Sequence, residues 1–225
     1  MDLKAIYQKH KKVLQPVLYL KNRTFGLNIK NRGKNNLVQG IGQCRIKKSG
    51  FSIDGDNNKI IINDMSSLFN VNISIVGSNN TIVIGERNYL EGCSFCVEDN
   101  HNTITLGTHV YIYSNTEISA IESTDISIGN DCLFSANIMI RTGDSHVILD
   151  ETSGKRLNHS ESICFADKVW LGNGCKVLKG ANIGAECVVG TGALVTHKTP
   201  VVNNSVLAGV PAKVVTTGIR WSQQR

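Results

Sequence analysis

His146 is the residue of this chain best placed to move a proton. Histidine as a residue type titrates near neutral pH and acts as a general base where a hydrogen must leave as a bond forms. Of the six histidines, His146 alone follows the last member of a regular aliphatic series, Ile140, and opens a polar loop (GDSH). Asp144 stands two residues earlier, where it can orient the ring, balance its charge, or merely form a turn. Trp170 lies beside Leu171, a member of the same kind of series, so its ring should point outward. A large ring left in water is costly, which points to a ligand or subunit contact. His10, His101, His109, His159 and His197 show no metal-ligand pattern, and Cys93 and Cys96 form a C-x-x-C that lacks two further ligands at matching spacing. No metal is expected, and no P-loop or dinucleotide fingerprint offers a phosphate cradle.

The elements that must position these residues are legible as two superimposed repeats. Asn36, Asn58, Asn80 and Asn102 recur every 22 residues, with Thr124 in the fifth place. Val38, Ile60, Ile82, Ile104 and Ile126 follow them two residues on. A period of six dominates the C-terminal third, through Phe165, Leu171, Val177, Ile183, Val189 and Val195, with small residues Cys175, Ala181, Cys187 and Ala193 between. Six steps of about 100° scatter such anchors around a helix. Short strands joined by tight corners place them all inward, and three six-residue sides close one coil of a parallel β-solenoid. The 22-residue period then reads as a coil with one corner longer by four. The Asn pairs suit that corner, because Asn tolerates left-handed backbone.

The repeats divide the chain into a basic, partly helical extension (1–30), a β-helix domain (31–200) with an active-site loop at 141–162, and a tail (201–225). Leu3, Ile6, Tyr7, Val13, Leu14 and Val17 give the extension an amphipathic helical pattern that Pro16 should interrupt or end. Helix and tail are natural caps for the open ends of a solenoid. Residues 1–48 hold 12 of the 24 Lys and Arg and only one of the 18 acids, Asp2. That asymmetry suits an anionic substrate or membrane surface near the N-terminus, or simply a solvated face; no motif for nucleic acid accompanies it. Seven scattered cysteines do not form a disulfide framework and are expected to pack as buried thiols. With no apolar run long enough for a membrane span and no signal-peptide pattern, a cytoplasmic protein is expected.

Residues 139–215 carry a family resemblance. RTGDSH, the polar loop, FADKVWLGNGCKVLKGANIGAECVVGTGALVTH and SVLAGVPAKVV together resemble the hexapeptide-repeat O-acetyltransferases. The nearest likeness is to bacterial capsule and polysialic acid O-acetyltransferases, on Asp144, the GKRLNH segment and IRW near the C-terminus. Two positions depart from the common pattern: Ala166 after Phe165, and Val147 after the histidine. The resemblance implies a left-handed parallel β-helix, a homotrimer, and acetyl-CoA bound in grooves between subunits. It implies His146 as the base toward a sugar hydroxyl and Trp170 at the reacting centre. Asp144 would orient His146 or contact the acceptor. Donor contacts would fall on Trp170, Asn173, Thr191, Thr196, His197, Ala208, Gly209 and Lys213, with Lys198 and Lys213 meeting phosphates as point charges.

Two other readings stand beside this one. The acceptor can be another small sugar, an amino sugar or a xenobiotic, although the nucleotide-sugar enzymes of this type carry an N-terminal α/β domain for which there is no room. Alternatively the solenoid only binds glycan, which calls for a flat ladder of matching outward Thr or aromatic residues. The outward positions read as irregular.

Overall fold

The computed structural model describes residues 3–223, with side-chain surroundings from residue 9 onward. Three sheets of eight, seven and nine strands form the faces of a triangular prism, and each coil of the chain adds one strand to each face in turn. Every neighbouring pair is parallel until the last, where Ser205–Ala208 and Lys213–Thr217 pair antiparallel. The architecture is a left-handed parallel β-helix of about eight turns.

Register reproduces both periods. Leu27 pairs with Ser49 and Thr103 with Asp125, steps of 22, whereas Cys164 pairs with Asn182 and Trp170 with Val188, steps of 18. Between them one coil steps by 37, as Leu133 meets Trp170, because it carries the polar loop.

The four extra residues of the longer coils are not spent in one corner, as expected from the repeats. They lengthen two of the three faces. The first face buries two side chains per coil (Phe51 and Ile53, Ile73 and Ile75, Phe95 and Val97), and the second likewise (Ile60 and Ile62, Ile82 and Ile84, Ile104 and Leu106). The third face buries one (Leu68, Leu90, Ile112), as the short coils do throughout. Strand alternation requires each added inward residue to bring an outward neighbour, so two faces absorb two residues each.

The Asn pairs divide their work at the corner between the first and second faces. Asn35, Asn57 and Asn79 take positive φ of 57°, 57° and 61° and turn the chain. The second member stacks inward: Asn58, Asn80 and Asn102 are fully buried, and each accepts from the backbone N–H one coil further on (3.0, 2.8 and 3.0 Å, the last from Thr124). Buried amides of this kind survive only when bonded.

Helix α1 (Leu3–Lys21) runs through Pro16 without a break, contrary to expectation, and ends in a π-turn at Asn22–Gly26. Both Pro16 and Lys12, whose carbonyl loses its helical donor, are exposed, so water replaces the missing bond. The opposite side is held to the first two coils. Lys11 pairs with Asp64 at 2.8 Å, and the buried Asn22 amide donates to the carbonyls of Ile41 and Cys44 and accepts from Ile46 N–H. Gly42 permits the approach, since a Cβ there would sit 2.8 Å from the Gln15 carbonyl. The apolar pattern faces away from the solenoid rather than into it: Val13, Val17, Leu20 and Phe25 are 61–83% exposed. Leu3, Ile6 and Tyr7 lie outside the described side chains. The first sheet strand opens at Leu27 and the last closes at Thr217.

Five cysteines are buried, and burial pushes the thiols of Cys44, Cys93 and Cys132 up to about 12, where they are inert. Cys96 is half-buried, and Cys164 is exposed because it takes an outward place on the second face, between the inward Ile163 and Phe165. Among the described residues no helix is long and apolar enough to cross a membrane.

Candidate active site

The polar loop leaves the first face after Arg141 and rejoins the second at Ile163. Asn158, 7% exposed, organises it. Its Nδ2 donates to the Asp144 carboxylate (3.0 Å) and the His146 carbonyl (2.7 Å), while its Oδ1 accepts from Ile148 N–H (2.7 Å). Behind it Arg156 donates twice to Glu122, which also accepts from Ser160 Oγ. Asp144 is therefore engaged with Asn158 and in an ion pair with Lys179, not with the His146 ring. The Lys179 ammonium holds the Asp144 carboxyl below the usual carboxylate range. His146 is exposed, and its ring has no hydrogen-bond partner among the described residues. It is an unpartnered ring at the lip of a loop cross-linked by Asn158 and Arg156.

Lys179 and His197 extend this edge one and two coils onward. Leu178 lies in register with Arg141, and Val195 with Val177, which stacks Lys179 beyond the loop's root and His197 beyond Lys179. A Cβ on Gly180 would come 2.9 Å from His197 Cβ, which shows how closely these corners stack. Thr196 and Lys198 belong to the same turn, where Lys198 N–H donates to Thr196 Oγ1.

Trp170 lies elsewhere, on the third face. Its Nε1 donates to Ser135 Oγ at 3.4 Å, and its ring packs against Trp221 at 5.8 Å between centroids. Trp221 Nε1 donates to the Lys168 carbonyl (2.7 Å), folding the tail over the face. The two rings, with Tyr111, Tyr113, Leu133 and Ser135, line a cleft of about 620 Å³. Asn173, Thr191, Ala208 and Gly209 stack at the corner that follows: Gly192 N–H donates to the Asn173 carbonyl, and Leu194 N–H to the Gly209 carbonyl. Lys213 joins them by pairing with Ala208.

The residues picked from the sequence thus fall on two edges of the prism. Asp144, His146, Thr196, His197 and Lys198 occupy the corner between the first and second faces. Asn173, Thr191, Ala208, Gly209 and Lys213 occupy the corner between the third and first, with Trp170 on the adjoining face. One chain does not bring His146 and Trp170 together.

Sequence reasoning missed Asn158, Lys179, Trp221 and a relay on the third face. There Asp131 bonds His109 Nδ1 (2.7 Å), and His109 Nε2 meets the Tyr111 hydroxyl (3.1 Å). Asp131 lies 22 residues after His109, so the repeat itself was the available signal. Asn158 and Trp221 sit inside GKRLNH and IRW. Lys179 needed the register of the 37-residue coil. Among the described residues no group of three or more His, Cys, Asp or Glu side chains is arranged to hold a metal.

Comparison with known proteins bears on the fold. No protein-family model matches the sequence. The homologues are O-acetyltransferases: a galactoside O-acetyltransferase of Lactococcus lactis (34% identity over 46% of this chain and 48% of that protein) and polysialic acid O-acetyltransferases of Escherichia coli (28%, over 45% and 33%) and Neisseria meningitidis (39%, over 29% and 31%). The chain thus matches about a third to a half of the length of these curated relatives. Fold likeness is broader. The polysialic acid O-acetyltransferase OatWY superposes with a TM-score of 0.82 at 28% identity, over 88% of this chain and 92% of that one. The polysialic-acid-specific acetyltransferase NeuO does so at 0.80 and 25%, over 88% and 90%. The fold is that of the hexapeptide-repeat acetyltransferases, and two solved structures similar to it over most of their length are polysialic acid O-acetyltransferases.

Proposed function

We propose that the chain transfers acetyl from acetyl-CoA to a hydroxyl of a bacterial surface polysaccharide, such as a capsular polymer containing sialic acid, with His146 as general base. The carrying observation is the split of the site. An unpartnered imidazole on a hydrogen-bonded loop stands on one edge, and an exposed tryptophan stands on the face beside another edge, built of stacked corners. A closed homotrimer sets the first edge of one copy against the second edge of its neighbour, and this shared groove is where acetyl-CoA would lie. Its contacts would be Asn173, Thr191, Ala208, Gly209 and Lys213 from one subunit, with Thr196, His197 and Lys198 from the other.

In the reaction the His146 imidazole takes the proton of the acceptor hydroxyl as its oxygen attacks the thioester carbon. The tetrahedral oxyanion is stabilised by N–H donors, the Trp170 indole among them. The carbon–sulfur bond then breaks, and the departing thiolate receives the proton from His146. Asp144 has its carboxylate committed to Lys179 and Asn158, so its part is to fix the loop that presents His146. The acceptor reading draws on the cations of residues 1–48, which attract a polyanion over a range of about 8–10 Å at physiological salt.

Replacing His146 with Ala tests the assignment. Turnover should fall roughly 10²–10⁴-fold, with acetyl-CoA affinity and fold retained, as followed by mass spectrometry of oligosaccharides incubated with enzyme and acetyl-CoA. Near-normal turnover by the folded variant would remove His146 from the mechanism.

A further inference from the structure

The third face carries a feature that transfer at one hydroxyl does not require. By register, Tyr89, Tyr111, Leu133 and Trp170 occupy one outward column on successive coils. One coil back the column holds Ser67, and Phe69 stands in the adjoining outward column, in register with Glu91, its ring 5.6 Å from that of Tyr89; Tyr89 lies 6.2 Å from Tyr111 and 5.9 Å from Tyr113. The corresponding outward columns of the other faces hold Ser52, Ser74, Cys96 and Ser119, and Lys59, Thr81, Thr103 and Asp125. The regularity thus lies in one face, which the sequence read as irregular. Beyond Phe69 the columns end on two exposed cations, Arg45 in register with Ser67 and Lys47 in register with Phe69.

We propose that this face binds an extended acidic glycan, laid parallel to the prism axis from Arg45 and Lys47 to the cleft at Trp170. The proposal rests on the acetyltransferase reading for its direction. Donor-side corners lie on the C-terminal coils beyond Trp170, so an acceptor approaches from the N-terminal coils, where the rings are. Successive rungs stand about 4.8 Å apart, close to the advance of one pyranose unit along an extended chain, and Phe69 to Trp170 spans four such steps. Aromatic faces take the C–H faces of sugars and keep a polar edge for hydroxyls. That edge is present and oriented: Asp131 and His109 hold the Tyr111 hydroxyl, and Glu91 holds that of Tyr89 at 2.8 Å. The cations at the far end select an acidic polymer over a neutral one of equal length.

The chain's two tryptophans, Trp170 and Trp221, both line this cleft, so their fluorescence reports binding there without acetyl transfer. Size-fractionated oligomers of polysialic acid serve as probe, with neutral galactose oligomers in parallel. Affinity should rise with length to about five units, one for each rung at the ~4.8 Å spacing, and then level off, more steeply for the acidic series. Phe69→Leu with Tyr89→Leu keeps apolar volume but removes the flat faces. It should lower the long-to-short affinity ratio roughly three- to tenfold per ring. Arg45→Gln with Lys47→Gln should weaken the acidic preference at low salt. A wild-type affinity independent of length, or an unchanged ratio in the ring variant, would overturn the proposal. So would a changed oligomer mass at constant length preference, which would assign the rings to a subunit contact. Length-dependent binding without any acetyl transfer would instead overturn the catalytic reading and leave the glycan track standing.

Discussion

At the scale of single residues, the loop depends on one amide. Asn158 satisfies Asp144, His146 and Ile148 at once, and its removal takes the partner from the part-buried Ile148 N–H and His146 carbonyl. Asn158→Ala should cost about 1–3 kcal/mol of local stability and lower turnover while sparing acetyl-CoA affinity. Hydrogen exchange confined to 144–158 would record the loosening, and unchanged exchange would assign the loop's order to the Arg156–Glu122 pair instead. The Asp144–Lys179 pair has a defined pH signature. Lys179 depresses the Asp144 value in the folded state, so the contribution is fully present above the ordinary carboxylate value of about 3.9. It is lost only as pH falls through the depressed one. The loop should therefore resist pepsin equally at about pH 5 and pH 4.5, both above that ordinary value, and yield only in stronger acid; Lys179→Met should make it sensitive throughout.

At the scale of elements, the buried Asn column ties each coil to the next. A solenoid's stability is a sum over coils and their interfaces, so a rung in mid-column should matter more than one at an end. Asn80 is fully buried, its side chain donating to the Asp99 carbonyl and accepting from Asn102 N–H. Asn80→Ala should destabilise by roughly 1–3 kcal/mol, read as a lower urea midpoint. Asn36, half-buried at the end of the column, should cost less on the same substitution. Equal losses at the two positions would mean that the corner turn, not the column, sets the cost.

At the scale of the whole molecule, the decisive property is that His146 stands at one edge of the prism and Trp170 on the face that does not adjoin it. A repeated heterologous contact closes into a ring, and the proposed three-fold ring would supply each His146 edge with a neighbour's Trp170 face. Mixing His146→Ala with Trp170→Ala subunits should then restore activity that neither variant has alone. Random assortment into trimers would leave about a quarter of the interfaces intact. A mixture as inactive as its parts, in particles of confirmed trimer mass, would place each site within a single chain.

The sequence by itself determined the solenoid and its coil lengths. Those follow from which positions are aliphatic, small or left-handed, and such preferences are local and periodic. The exposed side of helix α1 was not legible, because periodicity reveals an apolar stripe but not which side of the helix is tethered, and here Lys11 and Asn22 tether the polar side. The partners of Asp144 were not legible either. Lys179 lies 35 residues away, and Asn158 only 14 away but across a loop whose path no repeat dictates. The aromatic column was hidden for a related reason. Tyr89 and Tyr111 are 22 residues apart, but Trp170 joins them only after a 37-residue coil is closed into register. Backbone hydrogen bonds between coils set that register, and only the folded chain forms them.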